Sequence, residues 1–241
     1  MSVLVALAVT VAAFVKGAIG FGFPTLGTPL LTLLVDVKTA FLVLIVPNIV
    51  MDGIQFVRSG ASRATVRRMT PLVIFGAAGT VAGTYWLAML SSRTVMLILG
   101  GFILIFVALS AARLSPRLPP RWEWWASPVA GFITGVVGGI TNVPGTPLVL
   151  YFYALGLAKH EFVSAVSFTF VLYKLAQLAA VTWYGLMTTA LLGWSALLTL
   201  AALAGFAVGL QVQDRLAPAT FNRAVLTFLA LLGAWLIARN I

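Results

Sequence analysis

Cysteine is absent from this chain, and the side chains that most often carry out chemistry are scarce. Without cysteine there are no disulfides, thiolate metal sites or cysteine nucleophiles. The 241 residues include one histidine and five carboxylates, and only 8% of them are charged. The sequence therefore lacks the histidine and carboxylate clusters of metal sites, and it also lacks a nucleotide-binding loop. We predict neither an enzyme nor a protein with a metal or cofactor.

Long apolar segments dominate what is present. Hydrophobic residues make up 61% of the chain, and the mean hydropathy of +1.09 lies far above that of soluble domains. The net charge of +10 comes from basic residues in the loops between apolar segments. Such residues orient a membrane protein and contact lipid headgroups. We predict an integral membrane protein whose partners include the lipid bilayer and no nucleic acid.

Six apolar segments are long enough for a helix to cross a hydrocarbon core of about 30 Å, which takes roughly 20 residues. Two further segments are interrupted by glycine and proline, and none of their arms is long enough to cross alone. The spans are expected at 39–57, 70–90, 94–112, 162–183, 189–211 and 220–238. The broken segments are expected at 2–16 with 26–35, and at 127–137 with 145–155.

The interruptions recur at an offset of 118 residues, which divides the chain into two homologous halves. We expect a first repeat over 1–112, a basic linker rich in proline and tryptophan over 113–126, and a second repeat over 127–241. Unwound backbone at membrane depth is tolerated only inside protein or beside a wet cavity, so a break kept twice indicates a transport site. The matched residues are Gly17, Gly20, Gly27, Thr28, Pro29 and Leu30, and Gly135, Gly138, Gly145, Thr146, Pro147 and Leu148.

Each broken segment is either a hairpin that leaves on the side it entered or a single kinked crossing. Hairpins leave three spans in each half, which inverts one half relative to the other. They put ten loop Lys and Arg residues on one side and only Lys38, Arg93 and Arg239 on the other, whereas kinked crossings give eight against five. The positive-inside rule favours hairpins. The predicted fold is an all-α polytopic membrane protein with inverted halves, and a parallel four-plus-four repeat is the alternative.

The two breaks form the predicted anion site. A half-helix is expected to begin near Thr28-Pro29 and near Thr146-Pro147, with free N–H groups and a positive dipole end directed at mid-membrane. The alternative is that the glycines and prolines only allow helices to cross closely. The expected substrate-binding residues are Lys16, Gly17, Gly20, Gly22, Thr25, Gly27, Thr28, Gly138, Gly139, Thr141, Asn142, Gly145 and Thr146.

Asp52 and Lys174 are charged residues inside apolar segments, where charge is costly. They align at an offset of 122, as do Gln55 and Gln177 one turn further along. Because equivalent positions face a common axis, we expect Asp52 and Lys174 to pair between the halves, as a structural ion pair or as a proton-coupling element. Coupling or gating is therefore expected at Asp52, Lys174, Asn48, Gln55, Gln177, Phe21 and Phe23.

A second glycine repeat indicates packing rather than chemistry. Gly79 and Gly83 align with Gly205 and Gly209 at an offset of 126. Glycines four residues apart let helices approach closely in a membrane. We predict close helix crossings at these positions.

The motif from Lys16 to Pro29 and its counterpart from Gly135 to Phe152 resemble those of the sulfite exporter TauE/SafE family. The resemblance covers essentially the whole chain. It implies an inner-membrane permease for small sulfur-containing anions such as sulfite, sulfoacetate or related organosulfonates. Many members carry a longer glycine run after the first break, where this chain has Phe21 and Phe23.

These observations together predict a secondary transporter of a small oxyanion in the cell inner membrane. An ion gradient, with protons as the expected coupling ion, drives the transport. A passive anion channel and a non-transporting membrane scaffold are the alternatives, and a homo-oligomer is left open.

Overall fold

The computed structural model describes residues 3–60, 63–111, 117–212, 230–231 and 233–239. Over these residues the chain is helical and contains no strand. The helices are α1 (Val3–Ile19), α2 (Phe23–Thr32), α3 (Val37–Val43), α4 (Ile45–Ser59), α5 (Arg63–Met89), α6 (Ser92–Ala111), α7 (Glu123–Thr141), α8 (Gly145–Ala154), α9 (Lys159–Trp183) and α10 (Thr189–Val212). A 3₁₀ turn at Pro120–Trp122 precedes α7, and residues 233–239 are also helical.

Five helical stretches in the described part of the chain are long and apolar enough to cross a membrane. They confirm the first five spans expected from the sequence. The sixth, at 220–238, falls mostly outside the described residues. The five stretches are Val37–Ser59, Arg63–Met89, Ser92–Leu109, His160–Trp183 and Thr189–Val212.

The first of these spans consists of α3 and α4, which meet at Leu44. Pro47 has no N–H, so the helix leaves the carbonyl of Val43 without its usual donor. The hydroxyl of Ser195 on α10 donates to that carbonyl at 2.9 Å. A neighbouring helix thereby satisfies the backbone group that the proline frees, as membrane helices require.

Both broken segments fold back as helical hairpins. In the first, Gly27 of α2 lies against Ala12 of α1, and a Cβ added to Gly27 would stand 3.3 Å from the Ala12 Cβ. In the second, the N–H of Leu118, just ahead of α7, donates to the carbonyl of Ala154 at the end of α8, at 2.8 Å. A straight or gently kinked rod would hold these residues far apart.

The first break is shorter than expected, and the helix start predicted at Thr28-Pro29 is wrong. α1 continues to Ile19 and α2 begins at Phe23, so Pro29 lies inside α2. Gly20 and Gly22 have φ values of 95° and 97°, a left-handed conformation that reverses the chain within three residues. In the second half α8 does begin at Gly145, and Thr146-Pro147 lie in its first turn.

The two halves contact each other at two helix crossings, and glycines lie at both. α5 packs along α7, and α10 packs along α1. A Cβ added at any of Gly79, Gly83, Gly205 and Gly209 would overlap a backbone carbonyl of the facing helix. The predicted close packing is therefore confirmed. The carbonyls concerned belong to Phe132 and Val136 on α7 and to Thr10 and Phe14 on α1.

α4 and α9 are equivalent in the repeat, and they cross each other antiparallel. Phe56, near the end of α4, packs against Phe168 in the first half of α9, with ring centroids 5.4 Å apart. At the other end of the crossing, Ile45 of α4 shares an apolar cluster with Val181 of α9. The part of the crossing between these contacts contains the buried charged residues described next.

Candidate functional site

Three charged side chains are buried where the two halves meet. Lys16 and Asp52 have no exposed surface, and Lys174 is 2% exposed. Lys16 Nζ forms an ion pair with Asp52 Oδ1 at 2.5 Å. This corrects the expectation that Asp52 pairs with Lys174, since these two side chains form no ion pair within 4.0 Å. The reason is that Lys16, in the last turn of α1, reaches the carboxylate within its own half.

Lys174 is held by neutral groups. Its Nζ donates to Asn142 Oδ1 and to Gln177 Oε1, the second at 2.6 Å. An ammonium group has three N–H donors, so one donor has no partner among the described residues. Two lysines and one aspartate leave a formal charge of +1 in this buried region. Burying a charge without a counter-charge is costly, so the region favours an anion.

Asn142 joins the second break to the first half. It ends α7 in the left-handed conformation, with φ 63°, which asparagine adopts more readily than most residues. Its Nδ2 donates to Thr28 Oγ1 on α2 at 2.9 Å, while its Oδ1 accepts from Lys174. One side chain thus contacts both the α1–α2 hairpin and the lysine that lacks a carboxylate partner.

One glutamine in each half donates a hydrogen bond to a backbone carbonyl at the break of that half. Gln55 Nε2 donates to the carbonyl of Gly20 at 2.5 Å, and Gln177 Nε2 donates to the carbonyl of Gly138 at 3.5 Å. Both the glutamines and the glycines are repeat-matched pairs. Both contacts therefore join residues that are matched between the halves in sequence.

Several buried polar atoms lie on α4 within about one turn of Asp52. Both amide atoms of Asn48, Asp52 Oδ2 and Gln55 Oε1 are buried without a hydrogen-bond partner among the described residues. Spacings of four and three residues put these side chains on one face of the helix. Buried polar groups are nearly always hydrogen-bonded in folded proteins, so such a set is typical of a site completed by a polar ligand or by water.

Three other predicted site residues lie at or next to the breaks. Gly22 is the N-cap of α2, and Thr25 is 5% exposed on that helix. Thr141 Oγ1 donates to Val137 O at 2.7 Å and accepts from the N–H of Val143 at 3.1 Å, which steadies the end of α7.

Three predicted glycines have packing contacts instead. Gly17 lies against the backbone of α10, Gly139 against the backbone of α5, and Gly27 against Ala12. Gly145 begins α8, whereas the side chain of Thr146 lies outside the described residues. The structure therefore brings together only part of the predicted binding set.

The two phenylalanines predicted to gate the site have different surroundings. Phe23 is fully buried in an apolar cluster that contains residues of the first half and of α10. Phe21 reaches the second half, where its ring packs edge-on against Phe162 with centroids 6.1 Å apart. Phe21 therefore has an aromatic contact with the second half, whereas Phe23 has an apolar environment.

A set of buried hydroxyl groups in the second half was missed by sequence reasoning. Each is at most 7% exposed; two of the hydroxyl groups, those of Ser127 and Tyr151, lie beside each other, and the other three have no hydrogen-bond partner among the described residues. A search for matched polar residues overlooks them, because most of their first-half equivalents are apolar. A small polar residue inside an apolar segment is the signal that points to them. They are Ser127, Thr134, Tyr151, Ser164 and Ser167.

The apolar helices and the comparison with known families agree on the class of this protein. The chain is a multi-pass integral membrane protein. Searches among curated proteins and among solved structures return no significant match. The family model described as Sulfite exporter TauE/SafE matches residues 5–236, so the chain belongs to that family of membrane transporters.

Proposed function

We propose that this protein is a secondary transporter of small sulfur-containing oxyanions, such as sulfite or organosulfonates, and that the anion binds at mid-membrane beside Lys174 and Asn142. The observation that carries the proposal is that Lys174 is buried with only amide partners, which leaves a formal charge of +1 when this lysine is protonated. A small anion bound there would neutralise the region. Family membership supports the transporter class and the sulfur-containing substrate.

The donors around Lys174 suit an oxyanion with several acceptor oxygens. Lys174 has one N–H that no described residue accepts, and the amide nitrogen of Asn48 also has no partner. α2 and α8 both begin at the breaks, so the positive ends of their dipoles add to the potential there. Charge-assisted hydrogen bonds to an anion are about twice as strong as neutral ones.

We infer that the two halves have inverted topology in the cell inner membrane. The antiparallel crossing of α4 and α9 supports this, because equivalent helices run in opposite directions in inverted halves and in the same direction in a parallel repeat. The fold-back of both broken segments supports three spans in each half. The linker side, where most loop arginines lie, is then cytoplasmic.

We further infer that Asp52 takes up the coupling proton. Its Oδ1 holds Lys16, while its Oδ2 has no hydrogen-bond partner in the described structure. A proton added at Oδ2 would neutralise the carboxylate and release the Lys16 ammonium to the anion. In proteoliposomes, sulfite flux should therefore respond to an imposed pH gradient at constant membrane potential. A passive channel would follow the potential and ignore the pH gradient.

Sulfite flux into proteoliposomes tests the proposal most simply. Lys174→Met should lower the flux about tenfold or more, since a hydrogen bond to a charged group is worth about 1.5–3 kcal/mol. The matched control is Lys38→Met, because Lys38 lies at the start of α3 and donates to the carbonyl of Ala88. That variant should keep the wild-type flux. Equal flux through Lys174→Met and the wild type would contradict the proposal.

A further inference from the structure

An open groove of about 540 Å³ lies where α5 and α7 begin. Its walls include Arg67, Arg68, Glu123 and Trp124. Arg68 forms a two-point ion pair with Glu123, at 2.6 Å and 2.8 Å, so those two charges cancel. Arg67 forms no ion pair with a described residue, and it gives this arginine groove a positive charge.

The inner wall of the arginine groove contains a buried hydroxyl group. Ser127 lines the groove but is only 3% exposed, and its hydroxyl lies beside that of Tyr151. Thr134 lies seven residues further along α7, which is two helical turns and therefore the same face. Thr134 Oγ1 is fully buried and has no partner among the described residues. Gly138, one turn beyond Thr134, accepts from Gln177 beside Lys174.

A second helix repeats this pattern. Ser167 lies seven residues before Lys174 on α9, so both side chains belong to one face of that helix. Ser164 lies one turn nearer the start of α9. The Oγ atoms of both serines are buried and unpartnered in the described structure. Buried hydroxyl groups of α7 and α9 therefore lie between the start of each helix and the level of Lys174.

We propose that these hydroxyl groups line a hydrated path along which the anion passes between the arginine groove and Lys174. Buried hydroxyl groups without protein partners are costly unless water or a polar solute bonds to them. Two hydroxyl-bearing helices that lead from a positive groove to a buried cation suit a small oxyanion, which accepts hydrogen bonds from both. The direction of this path rests on the proposed function, whereas its hydration does not.

Three of the four hydroxyl positions have apolar counterparts in the first half, and the fourth, Thr134, corresponds to Lys16. At the repeat offsets, Ser127 corresponds to Val9, Ser164 to Leu42, and Ser167 to Ile45. These three side chains are at most 4% exposed and belong to apolar clusters. At these three positions the described first half therefore has apolar packing in place of hydroxyl groups.

Cysteine accessibility tests the path directly, because the natural chain has no cysteine to give a background. The variants are Ser127→Cys, Ser164→Cys and Ser167→Cys, and the matched controls are Val9→Cys, Leu42→Cys and Ile45→Cys. Each is reconstituted in proteoliposomes and treated with membrane-impermeant methanethiosulfonate ethylsulfonate, a small sulfonate anion. Arg121→Cys, at an exposed position in the 3₁₀ turn, marks vesicles whose linker side is accessible.

Labelling should be complete at the serine-derived cysteines and absent at the three controls. At Ser167→Cys the anionic reagent should also react faster than the cationic trimethylammonium reagent, which Lys174 repels. Protection of Ser164→Cys and Ser167→Cys, or equal labelling of the controls, would overturn the proposal. If one variant fails to fold, Thr134→Cys replaces it, with thermal unfolding as the check. Labelling requires no transport, so failure of the path is distinguishable from failure of the proposed function.

Discussion

The two halves of this protein each contain a buried lysine, and the two lysines have different kinds of partner. In the first half, Lys16 has the carboxylate of Asp52 as its partner. In the second half, the position equivalent to Asp52 is Lys174, and its partners are the amides of Asn142 and Gln177. The surrounding frame is shared, since a glutamine binds the break in each half. Two differences at matched positions, Lys174 for Asp52 and Thr134 for Lys16, therefore separate a neutral ion pair from a cation available to an anion.

The halves also differ in how they fill the space beside the break. The α1–α2 hairpin packs in a large apolar cluster that includes Val9, Ala12 and Phe23. On the other side, α7 and α9 keep unpartnered hydroxyl groups at Thr134 and Ser167. The second half also has a buried apolar cluster, which includes Phe152 and Phe170, so the halves differ in these hydroxyl groups rather than in the presence of apolar packing.

Asp52→Asn is the change with the largest expected effect on this comparison. It leaves Lys16 buried without a counter-charge, and breaking a buried ion pair costs about 3–5 kcal/mol. Thermal unfolding in detergent should show a strongly destabilised protein. The double variant Lys16→Met with Asp52→Leu removes both charges and should recover most of the stability. If Asp52→Asn unfolds at the same temperature as the wild type, the ion pair of Lys16 and Asp52 does not stabilise the first half.

Asn142→Asp would make the second half resemble the first. The substitution is nearly isosteric, aspartate also tolerates the left-handed backbone, and the new carboxylate would pair with Lys174. Sulfite affinity should fall about tenfold or more, since the buried charge of +1 is neutralised by a bond worth about 1.5–3 kcal/mol.

Titration calorimetry and thermal unfolding together check the Asn142→Asp result. The unfolding temperature should stay at or above that of the wild type, which separates lost binding from lost folding. Undiminished sulfite affinity in a folded Asn142→Asp protein would refute the role assigned to the uncompensated lysine.

Alanine at the crossing glycines tests whether the two interfaces between the halves are equivalent. Gly83→Ala and Gly209→Ala each put a Cβ against a backbone carbonyl, and overpacking of this kind costs about 1–3 kcal/mol. The control is Gly193→Ala on α10, where an added Cβ meets nothing within 4 Å. That control should gain about 0.5–1 kcal/mol, as alanine does over glycine inside a helix. Equal thermal stability of all three variants would contradict the close crossings.

The Gln55 contact carries the smallest predicted effect. Gln55→Leu removes one hydrogen bond to a break carbonyl, worth about 0.5–1.5 kcal/mol. Gln177→Leu should cost more, because it removes a bond to a break carbonyl and also the bond that Gln177 accepts from Lys174. Gln211→Leu, at an exposed position near the end of α10, serves as the control in thermal unfolding. If Gln211→Leu loses more thermal stability than Gln55→Leu, the hydrogen bond of Gln55 does not stabilise the first break.

Much of the fold can be predicted from the sequence, because apolar length and paired glycine breaks depend on local chain chemistry. The five described spans and the glycine crossings followed from such features. The partners of Lys16 and Lys174 could not be predicted, since they depend on how each hairpin folds back and how far each helix is rotated. The same reason applies to Thr28, which lies inside α2 and meets Asn142 from the other half. The hydroxyl groups of α7 and α9 were missed because the search was for polar residues matched between the halves, and most of their first-half equivalents are apolar.

The central claim is that Lys174, without a carboxylate partner, binds the anion. The most direct test is calorimetric titration of sulfite into the purified wild-type protein and into Lys174→Met. The account predicts saturable binding of one sulfite per chain in the wild type and no saturable binding in the folded variant. Equal affinity and stoichiometry in the two proteins would contradict it.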